Sequence, residues 1–261
     1  MLSNAVAATD SGLRAASAFL DVTSNNVANS DTPGYKTSQV TFQDLLYTGP
    51  RASGRIEPGL TDPTGEQLGT GAIVDSITGR FTQGTLIQSG GAFDFAISGE
   101  GFFQVTLPDG TVGYTRAGNF NNDSARNLVT PEGYLVAGGI TIPAGTASIT
   151  VARDGTVTAV NSSGGTQTIG QLTLTGFQNP AGLSRFGDNV FTATAAAGAV
   201  TTGAPGTNGL GTVSTGFLEQ SNVDLSGELV NLIIAQQAFR YNTQTLQVES
   251  EVLQATTDLI R

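Results

Sequence analysis

The chain has 261 residues, of which 21 are acidic and 11 are basic, so it carries a net charge of −10 at pH 7. An acidic chain without a basic run is a poor partner for nucleic acid or for an anionic membrane surface. The absence of cysteine and histidine excludes disulfides and thiolate metal sites and removes the commonest general base. A chain of this length can bury a sizeable core and is expected to form two domains.

The first segment carries apolar residues at every seventh position. They are Val6, Leu13, Leu20 and Val27. This pattern predicts a helix over residues 3–28, which ends before Pro33 and Gly34 because proline bars the helical conformation for the residue that precedes it. A strict seven-residue repeat is typical of helices that supercoil around other helices.

A connector over residues 31–71 follows, with a stretch rich in proline and glycine at about 47–65. Its characteristic residues are Tyr47, Pro50, Pro58, Pro63 and Gly65. Few large apolar groups occur there, so the stretch cannot hold a core of its own. We interpret it as an extended loop that becomes ordered on contact, or as a disordered linker.

Residues 72–221 consist of short β-prone runs divided by glycines. The clearest hairpin pairs residues 102–106 with residues 111–115 through a turn at Asp109 and Gly110. A second hairpin turn is predicted at Asp154 and Gly155. Further strands are predicted at residues 128–130, 134–136, 149–151, 157–159 and 172–174. Short strands without a helical period between them indicate an all-β domain.

The last segment, residues 222–261, repeats the period of the first. Its apolar row consists of Leu225, Leu232, Phe239, Leu246, Leu253 and Ile260. The residues four places further along are mostly small or polar, namely Leu229, Gln236, Thr243, Ser250 and Thr257. The helix is expected to begin near Asn222 or Asp224, either of which can cap it. One apolar and one weak row make a poor isolated pair and suit packing among many copies, although an ordinary helix pair over a single core remains the alternative.

The predicted fold class is therefore α+β. The helical segments 1–30 and 222–261 pack together in a coiled-coil-like manner, residues 31–71 form the connector, and residues 72–221 form the central all-β domain. The N-terminus lacks the charged and apolar regions of a secretory signal peptide, and no stretch is long enough to span a bilayer. We expect a cytoplasmic protein, or one that is exported without a cleaved signal.

Little in the sequence points to catalysis. Seven carboxylates of the central domain could supply a pair for glycoside hydrolysis. They are Asp94, Glu100, Asp109, Asp123, Glu132, Asp154 and Asp188. Most of them lie beside glycine, proline or asparagine, where aspartate commonly forms turns. No catalytic residue, cofactor site or metal site is predicted.

Three separate motifs resemble one known family. Residues 24–36, SNNVANSDTPGYK, resemble the N-terminal signature of bacterial flagellar rod and hook proteins, and the residues that carry the likeness are Asn25, Asn26, Asn29, Gly34 and Tyr35. Residues 98–105 and 114–120 resemble the central β domain of that family. Residues 216–247 resemble its C-terminal helix, so the likeness covers nearly the whole chain.

Within the family, the length, residues 128–134 and the stretch rich in proline and glycine most resemble the distal rod members. Residues 31–34 are closer to the proximal rod form. The resemblance implies a structural subunit, not an enzyme, that self-assembles into a hollow helical tube. Such a tube crosses the periplasm and transmits torque from the motor to the hook, with the terminal helices lining the inner tube and the β domain forming the outer shell.

The same resemblance implies export through the flagellar type III apparatus without a cleaved signal peptide, and a place in the flagellar basal body. The implied partners are copies of the chain, proximal rod proteins, the hook protein, the surrounding basal-body rings and the export apparatus. It implies no cofactor and no membrane insertion. The alternatives are another rod or hook subunit of the family, or a secreted β-rich carboxylate enzyme or adhesin.

The stretch from Tyr47 to Gly65 is also predicted to stiffen the tube. A tube bends only if neighbouring subunits slide, and contacts from this stretch to other copies would oppose that sliding. Pro50, Pro58 and Pro63 reduce the entropy that is lost when the stretch docks. The alternative is a solvated linker that only tethers the two parts of the chain.

Overall fold

The computed structural model describes residues 2–51, 56–57, 60–61, 66–162 and 164–259. The chain forms two compact units. The helical unit consists of the two ends of the chain, up to Val27 and from Leu225, together with residues 38–78. The β unit consists of residues 28–37 and 79–224. The predicted connector is thus divided, since residues 31–37 belong to the β unit and residues 38–71 to the helical unit.

The helical unit contains a helix from each end of the chain and a series of strands. The helices are α1 (Leu2–Ala28) and α2 (Leu225–Leu259). The strands are β1 (Ser38–Asp44), β2 (Thr48–Arg51), β3 (Ile56–Glu57), β4 (Leu60–Thr61), β5 (Glu66–Leu68) and β6 (Ala72–Gly79). Both helix predictions are confirmed to within a few residues, and α2 begins directly after Asp224, one of the two predicted caps.

The strands of the helical unit pair in a nested order. β1 pairs with β6, β2 with β5, and β3 with β4. The interpretation of residues 47–65 as an extended loop or a disordered linker therefore does not hold for the described strands, which include Pro50 in β2. A two-stranded ribbon tolerates proline because each of its strands has an outward edge that needs no donor. Pro58, Pro63 and Gly65 lie outside the described residues.

The β unit contains the remaining strands and two short 3-10 turns, at Pro180–Gly182 and Ala195–Ala197. Its strands are β7 (Leu86–Gln88), β8 (Phe95–Ser98), β9 (Phe102–Thr106), β10 (Val112–Thr115), β11 (Asn121–Asn122), β12 (Leu128–Val129), β13 (Leu135–Val136), β14 (Thr146–Val151), β15 (Thr156–Asn161), β16 (Thr166–Gln171), β17 (Leu174–Phe177), β18 (Ser184–Gly187), β19 (Val190–Thr192), β20 (Val200–Gly203), β21 (Thr212–Thr215) and β22 (Phe217–Glu219).

The largest sheet among the described residues follows the order β11-β12-β13-β9-β10-β19-β18. β17 pairs with β9 and with β20, and β14, β15 and β16 form a separate sheet. β21 pairs with β8, and β22 pairs with β7. The last strands of the β unit therefore pair with its first strands.

The predicted hairpins are confirmed. β9 and β10 pair antiparallel with Val112 opposite Thr106, and Gly110 in their turn has a φ of 83°. Gly155, with a φ of 82°, forms the turn between β14 and β15. The strand predicted at residues 172–174 is wrong, because β16 ends at Gln171 and β17 begins at Leu174. Leu172 is nevertheless fully buried, so its apolar character reflects the core and not a strand.

The β unit holds two apolar clusters. The larger includes Phe95, Phe103, Val105 and Val157, all inaccessible to solvent. The smaller is aromatic and is built around Phe102, Tyr114 and Phe191. In the described part of the chain, no helix is both long enough and apolar enough to cross a membrane.

Candidate assembly site

The family signature forms a tight turn after α1. The Thr32 amide donates to the Asn29 carbonyl at 3.2 Å, and the Tyr35 amide donates to the Thr32 carbonyl at 3.2 Å. Gly34 has a φ of +69°, and a Cβ there would lie 2.4 Å from the Ala117 amide nitrogen. Only glycine fits this position, because both the conformation and the close approach of the backbone exclude a side chain.

Tyr35 and the residue after it anchor the turn in the β unit. Tyr35 is buried, and the Arg185 guanidinium carbon lies 5.4 Å from the centre of its ring. Arg185 Nη2 also donates to the Lys36 carbonyl at 2.6 Å. The Gly34 amide donates to the Glu219 carbonyl at 2.7 Å. These contacts join the signature to strand β18 through Arg185 and to strand β22 through Glu219.

A buried ionic cluster, formed by Lys36, Arg116 and Glu219, lies directly beneath the turn. Lys36 Nζ donates to Glu219 Oε1 at 2.5 Å and to the Thr82 carbonyl at 2.9 Å. Arg116 Nη1 donates to Glu219 Oε2 at 3.3 Å. The Gly84 amide also donates to Glu219 Oε1, at 2.9 Å. One carboxylate therefore serves two cations and a backbone amide.

The electrostatics of the ionic cluster are set by its burial. The side chains of Lys36 and Glu219 are 0% exposed, and that of Arg116 is 3% exposed. Burial lowers the pKa of Lys36 and the pKa of Arg116, and the Glu219 carboxylate opposes both shifts. Glu100 also interacts favourably with both cations, but Glu219 is the carboxylate that accepts hydrogen bonds from the two of them, so its loss would leave two buried cations poorly compensated.

Asn222 fastens the segment that leads into α2. Its Oδ1 accepts from the Thr37 amide at 2.8 Å, and its Nδ2 donates to the Arg80 carbonyl at 2.8 Å. Nδ2 also lies 2.9 Å from Thr82 Oγ1. Asn222, considered above as a helix cap, therefore binds the signature segment and the connection between β6 and β7 instead.

The sequence did not predict the ionic cluster. Its three members come from three different motifs, and no spacing in the sequence shows that they meet. The available signal was Lys36, the single lysine of an acidic chain, placed at the end of the signature. An acidic chain does not need a single lysine for solubility, so the presence of Lys36 is consistent with a buried ion pair.

The two helices meet through small and polar residues. Thr9 Oγ1 donates to Glu249 Oε1 at 3.4 Å, and Asn26 Nδ2 donates to Glu228 Oε1 at 3.1 Å. A Cβ on Gly12 would lie 3.2 Å from Asn242 Nδ2. The row of α2 that faces α1 is therefore Glu228, Ala235, Asn242 and Glu249, of which Ala235 is fully buried. On α1 the most buried residues are Thr9, Ala16, Thr23 and Asn26.

The second row of α2 lies three places after the apolar row, and not four places as the sequence suggested. Small residues at Thr9, Gly12 and Ala16 of α1 let the two helices approach closely, and the longer side chains of Glu228 and Glu249 on α2 reach polar partners on α1. The predicted apolar row is left partly open to solvent. Leu225, Phe239 and Leu253 are exposed by 46%, 37% and 44%, while Leu232 and Leu246 are half-buried. Ile260 lies outside the described residues.

The apolar row of α1 is also half-buried, at Val6, Leu13, Leu20 and Val27. The signature asparagines differ in their roles. Asn26 is buried, and it exchanges two hydrogen bonds of 2.9 Å with the backbone of Ser38. Asn29 Oδ1 accepts from Thr32 Oγ1 at 3.1 Å, and Asn25 is exposed. Asn26 thus fixes the end of α1 within its own chain.

Three of the carboxylates considered for catalysis cap turns. Asp109 Oδ1 accepts from the Thr111 amide at 2.9 Å, Asp123 Oδ1 from the Asn127 amide at 2.7 Å, and Asp154 Oδ1 from the Thr156 amide at 3.0 Å. Hydrogen bonds from these threonine and asparagine residues lower the pKa of each aspartate. Among the described residues, no group of three or more acidic side chains could hold a metal ion.

Comparison with known families accounts for all three motifs. The family model for flagella basal body rod proteins matches residues 9–36. The model for the D1 domain of flagellar hook protein FlgE/F/G matches residues 96–159. The model for the C-terminal part of flagellar basal body rod FlgEFG proteins matches residues 214–259. The matched ranges contain Lys36, Arg116 and Glu219, one in each.

The relatives that align with nearly the whole chain are flagellar proteins as well. The flagellar basal-body rod protein FlgG of Caulobacter vibrioides is 41% identical over 252 residues, which cover 95% of this chain and 96% of the relative. FlgG of Agrobacterium fabrum is 40% identical, with 95% of each chain covered. The flagellar hook protein FlgE of Escherichia coli is 24% identical, over 95% of this chain and 98% of the relative.

These matches define a structural protein of the flagellar axis. The chain belongs to the flagellar basal-body rod protein family, and its much higher identity to FlgG than to the hook protein confirms the predicted likeness to the distal rod members. The chain is a structural rod subunit of the flagellum.

Proposed function

We propose that this rod subunit assembles with copies of itself into a hollow tube that spans the periplasm and transmits torque to the hook. The observation that carries the proposal is the exposed apolar surface of α2. Leu229, Val230, Ile233 and Ile234 are each more than two-fifths exposed in a single copy. Such a continuous apolar surface on a soluble protein marks an interaction site.

The proposed partners follow from this role. Copies of the chain would cover the helices, while proximal rod proteins and the hook protein would meet the two ends of the tube. The basal-body rings would surround the tube. We propose export by the flagellar type III apparatus without a cleaved signal peptide, and the chain needs no disulfide to fold after export because it contains no cysteine.

Replacing Leu232 by aspartate tests the proposed assembly. A charge in a row that other helices cover is buried in every copy and costs several kcal/mol per subunit, so we expect Leu232→Asp to remain monomeric at concentrations where the wild type forms tubes. Sedimentation and electron microscopy measure this. Gln247→Asp, an exposed change on the same helix, should assemble normally. Normal tubes from Leu232→Asp would contradict the proposal.

We also propose that residues 47–65 stiffen the tube. The described strands in and next to this stretch form a two-stranded ribbon, in which β2 pairs with β5 and β3 with β4. Leu46, Tyr47 and Leu68 at the base of the ribbon are exposed by 90%, 58% and 46%. Apolar side chains at the base of a ribbon are suited to contact a neighbouring copy and to resist sliding.

Deleting residues 48–64 should therefore give tubes that still form but curve. The helices and the ionic cluster are untouched by this deletion, so assembly itself is retained. Electron microscopy of the tubes measures the curvature, and a chain in which the same residues are replaced by a glycine-serine linker of equal length is the control. If the deleted tubes are as straight as the wild type, the stretch only tethers the chain.

A further inference from the structure

Helix α2 carries apolar residues on two nearly opposite faces. Row one is Leu225, Leu232, Phe239, Leu246 and Leu253. Row two is Ile234, Tyr241 and Val248, which also lie seven residues apart. Each member of row two lies two positions after a member of row one. At 3.6 residues per turn, the two rows are separated by about 160° around the helix.

The helix α1 of the same chain leaves both rows at least partly exposed, row two more than row one. Its hydrogen bonds and close approaches go to Glu228, Asn242 and Glu249, which lie between the two rows. Ile234, Tyr241 and Val248 are exposed by 54%, 64% and 57%. Val230 and Val252, on the same side as row two, are exposed by 56% and 45%.

We infer that row one of one copy docks on row two of a second copy. This inference rests on the proposed self-assembly and names the surfaces that carry it. Both rows have the same seven-residue period, so two such helices can remain in contact over several turns. The burial of branched and aromatic side chains from both helices supplies the driving force.

The exposed face of α1 is a poorer partner for row two. Its residues at the same period are Ala7, Arg14, Asp21 and Ala28, all exposed. Arg14 is already paired with Asp10 at 3.0 Å. Alanine and charged side chains bury much less apolar area than Leu232, Phe239 and Leu246, which favours α2 of the second copy.

Two different docking faces on one helix determine the kind of assembly. A two-fold dimer uses the same surface on both copies and is then complete. A contact from row one to row two leaves a free row one at one end and a free row two at the other. Such a head-to-tail contact continues to add copies, which is the geometry of an open helical polymer.

Chain-capping by variants tests the inference. Tyr241→Asp blocks row two and keeps row one, so it should bind one end of a growing wild-type polymer and stop its extension. We expect no polymer from this variant alone, and shorter polymers with a loss of pelleted protein when it is a minor fraction of a wild-type mixture. Adding Phe239→Asp in the same chain should abolish the capping, whereas adding Leu13→Asp should not. Gln247→Asp is the neutral control.

The opposite results overturn the inference in distinct ways. Polymers of normal length from Tyr241→Asp alone would show that row two is not a contact. Capping that survives Phe239→Asp but is lost with Leu13→Asp would assign the apolar row of α1 as the occupant. Mixtures in which Tyr241→Asp leaves polymer length unchanged would exclude the head-to-tail contact. A wild-type chain that never polymerises would instead overturn the proposed function itself.

Discussion

Glu219→Gln is expected to destabilise the β unit strongly, whereas Lys36→Met should destabilise it much less. Both substitutions remove the same ion pair, between Lys36 and Glu219, but they leave different charge balances. Without the charge of Glu219, Lys36 and Arg116 remain buried together, and Glu100 is the carboxylate that still interacts with both. Two buried cations with this incomplete compensation cost about 3–5 kcal/mol. Without Lys36, Arg116 and Glu219 remain as a neutral pair. Domains have a free energy of unfolding of only about 5–15 kcal/mol. The cost of Glu219→Gln is therefore a large fraction of the stability of the β unit.

Urea unfolding of the full-length variants, followed by the circular dichroism of the β unit, measures the difference. The chain also offers an internal control, because Lys36→Met added to Glu219→Gln removes one of the two stranded cations. The double variant should therefore be more stable than Glu219→Gln alone. A cost for Lys36→Met equal to that of Glu219→Gln would show that the cluster acts through its hydrogen bonds and not through its charge balance.

The ionic cluster also connects segments that lie far apart in the sequence. Residues 28–37 follow α1 directly, and residues 217–224 lead directly into α2. The cluster and Asn222 fasten both segments inside the β unit, through Gly34, Lys36 and Thr37 on one side and Glu219 on the other. The signature therefore does more than end α1, because it anchors the chain that follows α1 within the β unit.

The sequence predicted the local features of this fold well. A seven-residue period identified both helices, Pro33 and Gly34 marked the end of α1, and Asp109 with Gly110 identified a hairpin. Each of these signals acts through neighbouring residues, and a turn or a helix end depends mainly on local backbone preferences. The interpretation of Asp109, Asp123 and Asp154 as turn-forming residues is also confirmed, because each accepts a hydrogen bond from a backbone amide in its own turn.

Features that depend on contacts between distant residues could not be predicted from such local signals. The facing row of α2 was misplaced because the sequence shows which side chains are apolar but not how closely two helices approach. Gly12, Ala16 and Ala235 decide that distance only in combination. The strand predicted at residues 172–174 failed for a similar reason, since Leu172 is buried by tertiary packing. The ionic cluster depends on contacts between residues 103 and 183 positions apart.

Helices α1 and α2 are expected to exchange their amide hydrogens rapidly in the monomer and slowly in the polymer. In one copy the contact between them consists of Thr9, Ala16, Ala235 and polar groups, which bury little apolar area. The apolar rows stay partly in water, so little hydrophobic free energy offsets the cost of ordering two long helices. Local opening should therefore require little free energy in the monomer.

Hydrogen exchange followed by mass spectrometry tests this on the dilute monomer and on assembled tubes. We expect protection over residues 225–259 to rise by several orders of magnitude on assembly, because neighbouring copies would then cover the apolar rows. Peptides from β9 provide the matched control, since Phe103 and Val105 are inaccessible in a single copy and should be protected in both states. Strong protection of residues 225–259 in the dilute monomer would contradict the expectation, and it would mean that the polar contact with α1 is enough to hold α2 folded.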